Sequence, residues 1–142
     1  MLKSALSVLL GLVALLAVGT AAAQYGRFDF VDAQRAAGRT LFAEHCMACH
    51  GKTGVAAGYA PSLIGVVGRH AGTVPGFPYS APLRKSGIVW SDDKLMKWIS
   101  NAPATVPGTP MPHVSIVDPA ERLYIIEYLK TLSPSSTKKQ VR

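Results

Sequence analysis

Cys46-Met47-Ala48-Cys49-His50 is the stretch on which the reading of this chain turns. Two cysteines three positions apart, with histidine directly after the second, form the attachment pattern for a c-type haem. Each thiol can add across one vinyl group of a porphyrin, so two thioethers would hold the ring on one short turn. The next side chain, His50, then lies under the metal, where its imidazole can bind iron as the proximal ligand. Competing chemistries fit less well. A redox dithiol of the thioredoxin kind opens a helix after a strand, whereas the residues upstream of Cys46 read as helical. A zinc site needs about four ligands, and the chain has no second cysteine pair. A structural disulfide here would close too small a loop to stabilise much.

Working outward, the chain has 142 residues, enough for one small domain once a leader is removed, with a modest core that a buried macrocycle would help to fill. The formal charge is +7, from 15 lysines and arginines against 8 acidic residues. The basic residues are scattered (Arg27, Arg35, Arg39, Lys52, Arg69, Arg84, Lys85, Lys94, Lys97 and a terminal run). That is a solubilising charge and not a nucleic-acid footprint.

Residues 1–23 read as an export signal: Lys3 at the start, an apolar run from Leu6 to Val18, and Ala21-Ala22-Ala23 before Gln24 as the cleavage site. An uncleaved anchor competes, since the apolar stretch approaches the roughly 20 residues a bilayer needs; Gly11, Gly19 and the alanine triplet favour cleavage, and with cleavage no stable membrane insertion is expected. Either way the domain lies outside the cytoplasm, in a bacterial periplasm. Residues 24–31 read as a loose arm with Tyr25, Phe28 and Phe30. The main domain is expected over 32–132 and a polar, basic tail over 133–142.

A helix is expected from Asp32 as N-cap, with Ala37, Gly38, Leu41, Phe42 and His45 on one side. Glycine inside a helix costs about 1 kcal/mol, and a close crossing by another helix would explain Gly38. From Gly51 to Pro82 glycine and proline break any β alternation. So long an irregular stretch is unusual in a compact domain unless it wraps something. A second helix follows Ser91, with Asp92 and Asp93 in its first turn and Leu95, Trp98 and Ile99 inward. The last helix carries Asp118 as N-cap, Pro119 at its first position and Glu121 at its third, with Ile125, Tyr128, Leu129 and Leu132 as its inner stripe.

Between those two helices lies Pro107-Gly108-Thr109-Pro110-Met111-Pro112. Three prolines in six residues stiffen an extended segment. A thioether is a weak, neutral ligand, and a rigid loop makes it easier to hold on iron. Methionine as core filler belongs on a helix face, like Met96; Met47, trapped between the cysteines, cannot reach the far side of the ring. Met111 is the expected second ligand. His113 is its competitor and would give a bis-histidine iron of lower potential; His45 and His70 read as surface or propionate-side residues.

With these residues in place, the chain from about Asp32 to Lys130 resembles the class I cytochromes c, closest to the branch of mitochondrial cytochrome c and small bacterial periplasmic relatives. The likeness runs through Gly38 and Phe42, Gly65-Val66-Val67-Gly68-Arg69, Gly76-Phe77-Pro78-Tyr79-Ser80, Ser86-Gly87-Ile88-Val89-Trp90, Asn101, Val106-Pro107-Gly108-Thr109 and Glu121-Arg122. It implies an all-α cytochrome c fold of three to five short helices with long loops around one covalent haem c. It also implies that the Pro61 carbonyl accepts the Nδ1–H of His50, and that Arg69, Tyr79 and Trp90 hold the haem propionates. Trp98 stands where the family has a tyrosine bonded to the methionine sulfur; an indole N–H can substitute. His113 replaces a shielding aromatic residue. Positions of haem-edge lysines appear as His45, Pro103 and Pro110, which implies a flatter, more apolar edge and docking that depends less on salt.

The function expected is single-electron transfer, iron cycling between Fe(II) and Fe(III) with His50 and Met111 bound throughout. With both axial positions filled no substrate reaches the metal, so an enzyme is not expected. The implied partners of this monomer are redox proteins: a quinol–cytochrome c reductase, a terminal oxidase or a periplasmic dehydrogenase. Two alternatives stand beside it: a haem subunit dedicated to a larger dehydrogenase, and a gas sensor or haem enzyme if Met111 does not stay on iron.

Overall fold

The apolar spacing before Cys46 folds as expected into a helix, α1, over residues 30–45. The computed structural model describes residues 30–52, 54, 59–112, 114 and 116–132; the leader, residues 24–29 of the arm, the tail and His113 lie outside the described residues. The chain divides into two units, 1–33 and 34–142. Of the first, residues 30–33 are described, and they are helical. Asp32 therefore does not cap this helix: the backbone is already helical at Phe30. No glycine or proline separates Phe30 from Asp32, and a carboxylate inside an early turn is tolerated by the helix dipole.

In the second unit, helix α1 is followed after Cys46 by α2 (Met47–His50), α3 (Ala81–Lys85), α4 (Asp92–Ser100), α5 (Ala102–Thr105) and α6 (Pro119–Thr131). Among the described residues α2, α3 and α5 are pieces of four or five residues set by local turns, and the all-α fold is as expected. Among the described residues there is no strand; His70 and Val89 form one isolated antiparallel bridge. The breakers between Gly51 and Pro82 do what their composition dictates.

Gly38 explains itself by contact. A Cβ there would lie 1.8 Å from the Tyr124 backbone oxygen, so only glycine lets α1 and α6 approach this closely. Beside the crossing, Phe42 (1 % exposed) packs its ring on Tyr128 at 5.2 Å, over a fully buried Ile125. Ile126, which lies off the expected inner stripe, is equally buried, because α6 packs against α4 as well as α1. Each such side chain contributes roughly 1.5–3 kcal/mol by leaving water.

Three helix starts, those of α4, α5 and α6, follow their capping chemistry. Ser91 accepts the Lys94 N–H at the start of α4 at 3.3 Å, and Asn101 accepts from Ala104 at 3.0 Å for α5. Asp118 caps α6 by accepting from Ala120 at 2.7 Å, one position earlier than the capping-box pattern implies. Lys130, near the end of α6, ties it to α4 through Asp92 at 2.7 Å while also meeting Glu127 at 2.6 Å. Burial works against its charge, but those two carboxylates outweigh it and raise its pKa.

Candidate haem site

The pentapeptide is held by local bonds. The Cys46 N–H donates to Phe42 and the His50 N–H to Cys46, both at 2.9 Å, and the Gly51 N–H returns to Met47 at 2.9 Å. Gly51 then leaves with φ 77°, a left-handed value that suits glycine and turns the chain sharply away. Cys46 is half-buried and Cys49 exposed, and neither is in a disulfide. Burial, helped by the neighbouring Cys49, pushes the Cys46 thiol up to about 12. A redox dithiol uses the opposite, an acidified thiol.

The Nδ1 of His50 lies 2.8 Å from the Pro61 carbonyl oxygen. A carbonyl only accepts, so the proton sits on Nδ1 and the Nε2 lone pair is free. Burial lowers the His50 pKa, partly opposed by that hydrogen bond, and the neutral ring is the form that binds metal. This is the arrangement the sequence reading expected of Pro61.

Both thiols and His50 line a single cavity, and every other site residue expected from sequence lines it too: Pro61, Arg69, Tyr79, Trp90, Trp98 and Met111. The rest of the wall is largely apolar, with Leu63, Val66, Phe77, Leu83, Leu95, Ile99, Ile116, Ile125 and Leu129. Trp98 comes from α4 and tilts against Trp90, ring centres 5.0 Å apart. Met111 enters from the loop before α6, its N–H donating to Thr109 Oγ1 at 3.3 Å, and Pro110 and Pro112 flank it on the wall.

Arg69 is anchored inside the protein: one guanidinium nitrogen donates to the Ile64 carbonyl and another to Ser62, each at 2.8 Å. Burial lowers its pKa, and Tyr79 partly restores it; burial raises the Tyr79 pKa, with Arg69 opposing. Together they set a fixed cation and a protonated phenol on the same wall. His45 and His70 are both exposed; His45 lies at the cavity lining and His70 does not.

One wall residue escaped the sequence reading. Ser80 is the N-cap of α3 but makes no capping bond, and its hydroxyl is buried without a partner while lining the cavity. A buried hydroxyl without a partner is costly, and beside Tyr79 and Arg69 it is suited to an anionic group in the cavity. In the sequence Ser80 stands only as the end of Gly76-Phe77-Pro78-Tyr79-Ser80, in a segment expected to be loop, with no role of its own. The donor set fits haem c: two thiols on one turn, a neutral imidazole with a free Nε2, a thioether, apolar walls, and a polar corner for propionates.

The family model described as cytochrome c matches residues 35–133. A cytochrome c2 of Rhodopila globiformis is 46 % identical over 95 residues, covering 67 % of this chain and 90 % of the relative. A cytochrome c of Euglena viridis is 42 % identical over 101 residues, covering 71 % of this chain and 97 % of its own length. Among solved structures, cytochrome cH from Methylobacterium extorquens superposes with a TM-score of 0.63 at 42 % identity, covering 68 % of this chain and 96 % of that one.

Proposed function

The chain belongs to the cytochrome c family, and from that premise we propose that His50 and Met111 are the axial ligands of its iron. It is a monohaem electron carrier, not an enzyme, with haem c bound through Cys46 and Cys49. Bound there, haem c supplies one-electron Fe(II)/Fe(III) chemistry. The observation that carries the ligand assignment is the pairing within one cavity of a His50 whose Nδ1 is committed to Pro61 with a Met111 fixed between prolines. Pro61 holds the imidazole in the ligand tautomer and strengthens its basicity. The apolar wall disfavours added charge on the iron and so favours the ferrous state, raising the potential. In this reading Arg69, Tyr79, Trp90 and Ser80 hold the propionates, and Trp98, which lines the same cavity as Met111, supplies an indole N–H to its sulfur. Filling both axial positions keeps substrate from the metal.

Visible spectra of both redox states, with and without CO, test this. A sulfur-to-iron charge-transfer band in the ferric protein and no CO binding at neutral pH are expected; CO binding by the reduced protein would remove Met111 as a ligand.

The chain works with redox partner proteins. We place it in the bacterial periplasm after removal of residues 1–23, as a monomer serving a quinol–cytochrome c reductase, a terminal oxidase or a periplasmic dehydrogenase. No helix among the described residues is long and apolar enough to cross a membrane. His45, Pro103 and Pro110, all exposed, support docking through an edge poor in cations. Electron-transfer rates should fall only shallowly as ionic strength rises, measured by stopped flow against an acidic partner; a steep fall contradicts this.

A further inference from the structure

The loop that carries Met111 is held at both ends, and its second clamp has no assigned role. At the first end the Thr109 N–H donates to the Val106 carbonyl at 3.2 Å, and a Cβ on Gly108 (φ 83°) would lie 3.1 Å from Pro82. At the second end Arg122, in the first turn of α6, places Nη1 at 2.5 Å from the Ile116 carbonyl and 2.8 Å from that of Val117. Ile116 is itself buried (3 % exposed) and lines the cavity with Met111. The Arg122 backbone N–H meanwhile accepts its place in α6 by donating to Asp118 at 3.2 Å.

We infer that Arg122 is the positioning residue for Met111: it fixes the carboxyl-terminal end of the ligand loop to α6, so that the thioether is presented to iron rather than searching for it. This rests on the reading of Met111 as the second ligand. The physical reason is one of relative strength. Hydrogen bonds from a cation are the strong ones in a protein, and one nitrogen bridging two successive carbonyls fixes the backbone direction where the loop enters the helix. A neutral sulfur competes poorly for ferric iron, so any freedom given to its loop passes directly to rival ligands. Lysine keeps the charge but lacks the rigid planar guanidinium that aims this nitrogen at both carbonyls.

The test is exogenous imidazole titrated into the ferric holoprotein, read at the sulfur-to-iron charge-transfer band, with denaturant unfolding followed in parallel. Arg122→Met should bind imidazole about tenfold more tightly than the parent, equivalent to about 1.4 kcal/mol, and Arg122→Lys should fall between them. A shift in unfolding midpoint with unchanged imidazole affinity would make Arg122 merely structural and overturn the inference. If Arg122→Met fails to retain haem, Arg122→Lys decides alone: tighter imidazole binding than the parent supports the inference, and parental affinity overturns it. Met111→Ala separates the two levels: if it binds imidazole no more tightly than the parent, the ligand assignment itself has failed.

Discussion

The turn bearing His50 and the loop bearing Met111 line the same cavity but are stabilised over different distances. The His50 turn is built from bonds four residues long, Phe42 to Cys46, Cys46 to His50 and Met47 to Gly51, with one longer bond from Nδ1 to Pro61. Among its described residues the Met111 loop has no helix; these are held by prolines, by Thr109 and by Arg122 of α6. The difference follows ligand strength. An imidazole tethered next to two covalent anchors needs orientation only, whereas an untethered thioether needs its whole segment restrained in advance.

That contrast can be broken most severely at the ligands themselves. His50→Ala should abolish a six-coordinate spectrum, whereas Met111→Ala should keep covalent haem, bind CO when reduced, and lower the potential by roughly 0.1–0.3 V within the approximately 0.8 V range that axial ligands command. Potentiometry on both variants checks this, and equal losses from the two would erase the proposed asymmetry. Next comes the support behind the His50 side. Gly38→Ala forces a methyl group onto the Tyr124 carbonyl, so α1 and α6 must separate; a stability loss at the upper end of about 1–3 kcal/mol is expected in guanidinium unfolding.

The smallest effect concerns the strap between α4 and α6. Because the folded pKa of Lys130 is raised by Asp92 and Glu127, its contribution is fully present below the unfolded lysine value of about 10.4 and is lost as pH rises through the folded value. Lys130→Met should therefore cost at most about 1 kcal/mol at neutral pH, and the difference should vanish in strongly alkaline solution. Unfolding curves of the two proteins across that range provide the measurement.

Much of this was legible because it is local. The cysteine spacing, the Ser91 cap and the proline-bound Met111 depend on neighbours in sequence, and Gly38 announced a crossing by being a costly residue inside a helix. Pro61, Arg69 and Tyr79 became legible through resemblance, since nothing in their immediate surroundings points to a cavity. What stayed hidden is long-range. Ser80 is one loop residue among many until the structure shows its hydroxyl buried and unused beside the cavity. Arg122 stands in the sequence only as half of Glu121-Arg122 in the family likeness, and that its guanidinium sits on two carbonyls of another segment is seen only in the structure. Asp32 misled for the converse reason: a favourable cap residue does not start a helix that is already running.

The short reach of the bonds around Cys46 also has a consequence for how the protein tolerates change. The hydrogen bonds that shape the stapling turn run between Phe42 and Gly51, apart from the one to Pro61. A helical turn that short does not persist in water by itself, so it leans on Phe42 packed against Tyr128 of α6. An alteration far along the chain therefore reaches the attachment post through two handles, that ring contact and the Pro61 carbonyl.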